Sequence, residues 1–452
     1  MRVCCYLLMG MFLCALPIRS AETNGIDSAK LAFNVKTLGD AYDKVGRRNP
    51  AWDEDARRSL TLFAQRRATT NGLSVELEKE LTTRLSGAMA RKCDDPMIRY
   101  LYVRDVFTKT SSAQKSAAAF REMAAALEKS GYPDIRKFYA LYWTWHWMRE
   151  AGSFESEIPA VLTKTTTYLA KALESKELPA FEGDAACDLL LTAVWEDVDD
   201  AVWRCYEKLE PALTQHWKNS SWALLIKGRA YLSHAWQARG RGAASTVSAE
   251  AGREFDARLG TAAAALEAAW ALNPRDSRIC LAMLRVDMGH SRGRKHFEMW
   301  FQRGMKVAPG NWDLCSAKLE YLRPRWYGSV KEMVDFGREC TMNTNWSGGV
   351  RLLLAEAHVK VSQEIVDESK RTAYLDHPRV WADIKFAYEQ FFKLYPKEVS
   401  YRHSYARYAS WCGQWQEVLN QVKLFPYTNY AYFGGLADFN SMVQNAAGQL
   451  KK

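Results

Sequence analysis

Residues Phe138 to Glu150 read FYALYWTWHWMRE, which sets Trp143, Trp145 and Trp147 at alternate positions around His146. A ladder of aromatic faces is what a glycan-binding cleft uses to stack sugar rings, so this stretch is the first candidate for chemistry. Its flanks carry helical periodicity, however, and side chains on a helix advance by about 100° per residue. On that wheel Phe138, Leu141, Tyr142, Trp145 and Met148 share one face, while Tyr139, Trp143, His146 and Trp147 share another. A helix that is apolar on two sides packs between neighbours. The rings are therefore expected to be core, with a glycan platform as the competing reading.

The remaining reactive side chains are scattered. The histidines are His146, His216, His234, His290, His296, His358, His377 and His403. His290 and His296 are six apart and bracket a turn, whereas a metal pair on one helix needs a spacing of three or four; surface or packing roles follow. The acidic run Glu196-Asp197-Val198-Asp199-Asp200 offers clustered oxygens but lacks the glycine and distal glutamate of a calcium loop. It reads as a solvated helix end. There is no HExxH, GxSxG, GxxxxGK[ST] or strand-borne GxGxxG, so no catalytic, cofactor or metal residue is assigned. No CxxC occurs among the cysteines either.

The elements that would have to position any site begin after a leader. MRVCCYLLMGMFLCALPIRSAET has one early arginine, an apolar run and small residues at Ser20 and Ala21, the pattern of a signal peptide over residues 1–21. The apolar run is too short to span a bilayer, and Cys14 follows Phe12 and Leu13, which does not suit lipidation. The expected product is exported, periplasmic or extracellular, with no transmembrane segment in the mature chain. The formal net charge of +10 falls by two when Arg2 and Arg19 leave. That mild excess, with both signs interspersed, does not call for nucleic acid. Cys93, Cys187, Cys205, Cys280, Cys315, Cys340 and Cys412 remain, an odd set that cannot pair completely; Cys187 and Cys205 could join the two helices of one hairpin, and Cys280 and Cys315 are expected to be buried thiols.

Helical periodicity runs from Ile26 onward, so the fold class is all-α. Breakers such as Asn49-Pro50, Gly131-Tyr132-Pro133, Gly183, Pro211 and Asn273-Pro274 leave segments of helical-hairpin length. AAAALEAAWALNPRD ends at Pro274 and RKHFEMWFQRGMKVAPGN at Pro309, a period of 35 residues, and WADIKFAYEQFFKLYPKE stops at Pro396. Small and large apolar residues alternate before the first two prolines, at Ala262, Leu266 and Ala269 and at Phe297, Phe301 and Gly304, as helix B of a tetratricopeptide (TPR) repeat requires. Gly228 and Tyr231 have the helix A spacing. Gly413, Trp415, Glu417 and Val418 match the turn into helix B, as do Gly328 and Met333. About four repeats are legible from Ser221 to Pro426, with RGRGAASTVSAEAGREFDARLG inserted between the helices of the first. Residues 22–215 read as degenerate repeats of the same stack, and 216–452 as the TPR-like domain.

In order along the chain, AWQARGRGAASTV with ALEAAWALNP, WYGSVKEMVDFGREC, LLLAEAHVKV, HPRVWADI and YASWCGQWQEV resemble the bacterial proteins of domain-of-unknown-function family 4034, over roughly Trp217 to Leu436. The resemblance implies a TPR-like helical fold and no activity.

Stacked repeats line up equivalent turns along one edge. Arg239 and Arg241, then Arg292, Arg294 and Lys295, then Arg323 and Arg325 fall at three successive A-to-B turns, which would form a basic ridge for an acidic protein segment or an anionic glycan. The expected function is an exported, non-enzymatic α-solenoid scaffold that binds a protein or peptide partner. The alternative is a closed (α/α) toroid acting as a polysaccharide lyase or glycosidase, with aromatic platforms and paired carboxylates. A third reading, a membrane-surface binder, would rest on IRKFYALYWTWHWMRE alone.

Overall fold

A computed structural model describes residues 25–195, 200–240, 242, 246–290, 292–346, 348–425 and 427–451. The leader and the acidic run before Asp200 lie outside them. Among the described residues there are helices and turns but no strand, only an isolated bridge between Ile26 and Thr69. The fold is an all-α, solenoid-like stack of helical hairpins, each helix packing chiefly against its neighbours in sequence.

The chain divides into two compact units between Leu272 and Asn273, later than the sequence division at residue 215. The helix Ser221–Arg239 stays with the first unit because Trp222, Ile226 and Ala230 insert into the same core as Leu190 of Ala180–Ala193 and Tyr206 and Leu209 of Ala201–His216.

In the first unit the helix Asp134–Ala151 lies between two cores. Phe138, Tyr142 and Trp145 join one with Leu169, Leu173 and Leu190. Ala140 and Leu141 join the other with Phe63, Leu81, Leu101 and Phe120, and Trp143 touches both. The two-faced helix is thus a sandwiched one, and the aromatic ladder is packing. Local signals start and stop the surrounding helices. Ser74 and Ser112 accept the Leu77 and Lys115 N–H groups at the starts of Val75–Ala90 and Ala113–Glu128. Gly152, at φ +59°, ends Asp134–Ala151.

Three sequence expectations need correction. Pro211 does not break a helix but sits on the exposed side of Ala201–His216, where water can satisfy the carbonyl it leaves unbonded. Gly183 likewise lies inside Ala180–Ala193, where a β-carbon would stand 3.2 Å from the Trp222 ring. The supposed insert is mostly helix: Ala249–Leu272 runs 24 residues, and its early turns bury Phe255, 5.0 Å from Trp236, and Leu259.

The second unit holds the repeats closed by Pro309 and Pro396, while the helix closed by Pro274, Ala249–Leu272, belongs to the first. Arg294–Val307 stops before Pro309 and Pro378–Leu394 before Pro396, and Phe297, Phe301 and Gly304 are all buried. Gly413, at φ +65°, turns Tyr401–Trp411 into Trp415–Val422, which buries Val418.

Close helix approach makes some glycines obligatory and leaves others free. A β-carbon on Gly337 would lie 2.8 Å from the Leu354 Cα, so the helices Val330–Met342 and Leu353–Glu364 would have to separate. Gly337→Ala is expected to cost about 1–3 kcal/mol. Gly260, deep in Ala249–Leu272, meets nothing within 4 Å, and Gly260→Ala is expected to stabilise by about 1 kcal/mol. Thermal melts of the two variants should shift in opposite directions.

Candidate functional site

The side chains singled out by type are mostly consumed by packing. Trp145 is 1% exposed, and His146 sits between the Trp143 and Trp147 rings at 5.3 and 5.8 Å. His234 stacks on Trp203 at 4.1 Å with its Nδ1 2.6 Å from Asp200. His296 meets buried Asp287 at 2.8 Å. His358 bridges the Tyr374 hydroxyl at 2.7 Å and Asp383 at 3.0 Å, and burial holds its pKa below the ordinary value. His234, His296 and His358 are struts between elements, and no three His, Cys, Asp or Glu side chains among the described residues form a group able to hold a metal. All seven described cysteines are buried and outside any disulfide, Cys187 and Cys205 included, and Cys205 Sγ accepts the Thr166 hydroxyl at 3.4 Å. Burial pushes Cys93 up to about 11 and Cys280 and Cys412 up to about 12, which keeps them protonated and unreactive.

The basic turn residues have separate fates. Arg241 lies outside the described residues. Arg239 folds onto the turn that follows its helix, with Nη1 3.4 Å from the Gly240 carbonyl and its guanidinium 5.5 Å from the Trp236 ring centre. In the second unit Arg292 is half-buried, Lys295 is exposed, and exposed Arg294 pairs with Glu332 at 2.6 Å. Arg323, only 6% exposed, turns inward to Glu320 at 3.0 Å and to Glu364; Arg325 shares Glu364 at 3.1 Å. The turn folds under its own aromatics, Tyr321 and Tyr327 stacking at 4.7 Å, and that carries Arg323 off the edge. Carboxylates already balance this part of the ridge.

An open concavity lies in the first unit and involves none of these residues. The helices Ala113–Glu128 and Ile158–Glu174 flank Asp134–Ala151 and leave between them a groove of about 620 Å³. Leu141 and Thr144 line it from the central helix, Ala118, Ala124 and Ala125 from one flank, and Ala160 and Val161 from the other. The Thr144 hydroxyl is already donated to backbone carbonyls of Ala140 and Phe120, at 2.8 and 3.1 Å, so the floor is effectively apolar. Two ion pairs cross the groove with opposite polarity: Arg121 to Glu157 at 2.5 Å, and Glu128 to Lys164 at 3.2 Å. Each joins residues 36 apart, nearly the period of the downstream prolines. The flanking helices therefore run parallel as equivalent members of successive hairpins. Surface pairs of this kind hold by no more than about 1 kcal/mol, so an incoming chain can displace them. The sequence signal for the groove is the alanine cluster in SAQKSAAAFREMAAALEKSG, which puts small exposed side chains, Ala118 and Ala125, along one wall.

No protein-family model matches the chain and no curated protein matches it, so the functional reading rests on this geometry.

Proposed function

We propose that this chain is an exported helical-repeat scaffold that binds a protein or peptide partner without catalysing a reaction. The observation that supports it is the groove over Leu141 and Thr144: apolar at its base, open along its length, and bounded by charges that are paired only weakly. Arg121 and Glu128 are seven residues apart, about 10 Å of helix at 1.5 Å per residue. An extended peptide covers that distance with about three residues. It can set apolar side chains on the alanines and exchange its own charges with the two rim pairs, the usual division between an apolar core and a polar rim.

A photo-crosslinking residue at Ala125, on the groove, and another at exposed Glu207, away from it, test the reading in the exported fraction. The expected result is one defined protein adduct at position 125. It should disappear when Ala160→Trp fills the groove and persist when Lys295→Glu changes the basic turn. Equal labelling at both positions, or labelling indifferent to Ala160→Trp, would overturn it.

A further inference from the structure

A second cavity in the first unit has a different character. It measures about 300 Å³, the small end of the range for ligand sites, and buried Phe33, Ala41, Ile135, Ala172 and Leu178 line it with apolar surface. Lys36, Lys44 and Lys171 stand on its rim against only two carboxylates, Asp134 and Glu177, so the lining carries one positive charge in excess. Lys36 pairs with Glu177 at 3.1 Å while the two side chains remain 52% and 71% exposed. Such a pair opens at little cost.

Behind the wall lies a second excess of positive charge. Arg136 is 3% exposed, and its hydrogen-bond partners are neutral: Asn34 Oδ1 at 2.7 Å and Thr37 Oγ1 at 3.2 Å from Nε. Thr37 and Phe33 both line the cavity, and the guanidinium stands 5.8 Å from the Phe33 ring centre. The carboxylate acting on Arg136 through space is Glu182, which is already engaged by the Tyr139 hydroxyl at 2.8 Å and by Arg67 at 3.5 Å. Two guanidiniums thus share one carboxylate. Burial lowers Arg136 to about 10, which leaves it a cation at neutral pH. A buried charge short of a counter-ion is costly, and its field in a low-dielectric wall reaches into the adjoining space.

The backbone is also irregular here. Lys36–Asp40 forms a π-helical turn between Ser28–Val35 and Ala41–Val45. Insertions of this kind concentrate at functional sites. This one turns Thr37 inward to Arg136 and leaves Lys36 on the rim.

We infer that this cavity binds a small amphiphilic monocarboxylate, its tail on the Phe33–Ile135–Leu178 wall and its anionic head among Lys36, Lys44 and Lys171. The apolar wall selects a tail, the single excess rim charge selects a monoanion, and Glu177 is the gate residue that the ligand's head replaces on Lys36.

Calorimetric titration of the full chain with octanoate, octanol and octylamine tests it. Octanoate should bind one to one, octanol at least tenfold more weakly, and octylamine not measurably. Glu177→Gln removes the competing carboxylate and should tighten octanoate several-fold, an outcome that damage to the fold would not produce. Lys36→Gln with Lys171→Gln should weaken it at least tenfold while leaving octanol unchanged. Octanol binding as well as octanoate, an unchanged affinity in Glu177→Gln, or the absence of saturable octanoate binding would each overturn the inference. The crosslinking test of the groove reads a different surface, so either result can fail without the other.

Discussion

Trp145→Ala is expected to destabilise the first unit by about 3–5 kcal/mol, the usual cost of truncating a fully buried large aromatic. Trp145 is 1% exposed and sits in the core with Phe138, Leu169, Leu173 and Leu190, its ring 6.1 Å from Tyr142 and covered by the Arg149 guanidinium at 4.7 Å. Its indole N–H has no hydrogen-bond partner among the described residues, so the side chain contributes through area and contact alone. A second variant follows from that detail. Trp145→Phe keeps most of the apolar volume and removes an unsatisfied buried donor, which costs about 1–3 kcal/mol in its own right; it should recover most of the loss. Half-buried Trp147, stacked on Phe120 at 6.5 Å, should cost less than Trp145 when truncated. Hydrogen exchange of peptides from 134–174 in the full chain gives the local free energy without assuming that the two units unfold together. A platform for sugars would behave in the opposite way: Trp145→Ala would keep native protection and lose only a ligand.

The contrast between this helix and the groove beside it shows what the sequence could reveal. Apolar residues on two faces of 138–148 were enough to infer a helix between neighbours, because burial leaves a periodic record. The repeats before Pro274, Pro309 and Pro396 were legible for the same reason, with the close approaches at Gly228 and Gly304 showing as missing side chains. The period of the earlier half was not legible, since the prolines at three of its helix starts, Pro96, Pro133 and Pro179, are unevenly spaced, 37 and 46 residues apart. It surfaces only as the 36-residue offset of Arg121–Glu157 and Glu128–Lys164, pairs between surface residues that any charge pattern could have supplied. Pro211 misled because a proline's effect depends on whether its side of the helix faces water, which composition does not record. Charge misled at Arg323 for a related reason: the turn's aromatics fold it inward to Glu320 and Glu364, residues with no distinctive spacing from it. The small cavity was the least legible feature. Its π turn, Arg136 and Leu178 come from segments more than 40 residues apart that have no common pattern.

Asp95→Ala should rank with Trp145→Ala, at about 3–5 kcal/mol, for a polar reason. The pair Asp95-Pro96 is a cap and first-turn proline, and the carboxylate accepts the Met97 and Ile98 N–H groups at 2.9 and 3.1 Å, opening the helix Pro96–Asp105. Its second oxygen accepts the Arg47 N–H at 2.9 Å, from a loop 48 residues earlier, and the Tyr132 hydroxyl donates to both oxygens at 3.1 Å. One buried side chain therefore fastens three segments. Losing the cap alone costs about 1 kcal/mol, and each further donor left without an acceptor in the interior adds about 1–3 kcal/mol. Burial outweighs these bonds in setting the carboxyl's pKa, which lies above its ordinary value, so the four donors offset only part of the desolvation cost of the charged form. Asp95→Asn should be intermediate: the amide oxygen can still cap the helix, but its NH₂ would then face both the Arg47 N–H and the tyrosine hydroxyl, and only the latter can turn to accept. Tyr132→Phe removes one bond and should cost about 1 kcal/mol. The cost of Tyr132→Phe should vanish in the Asp95→Ala background, because the hydroxyl then has no carboxylate to donate to. Costs that simply add in the double variant would mean that the tyrosine is held by its ring and that Asp95 acts on each segment separately.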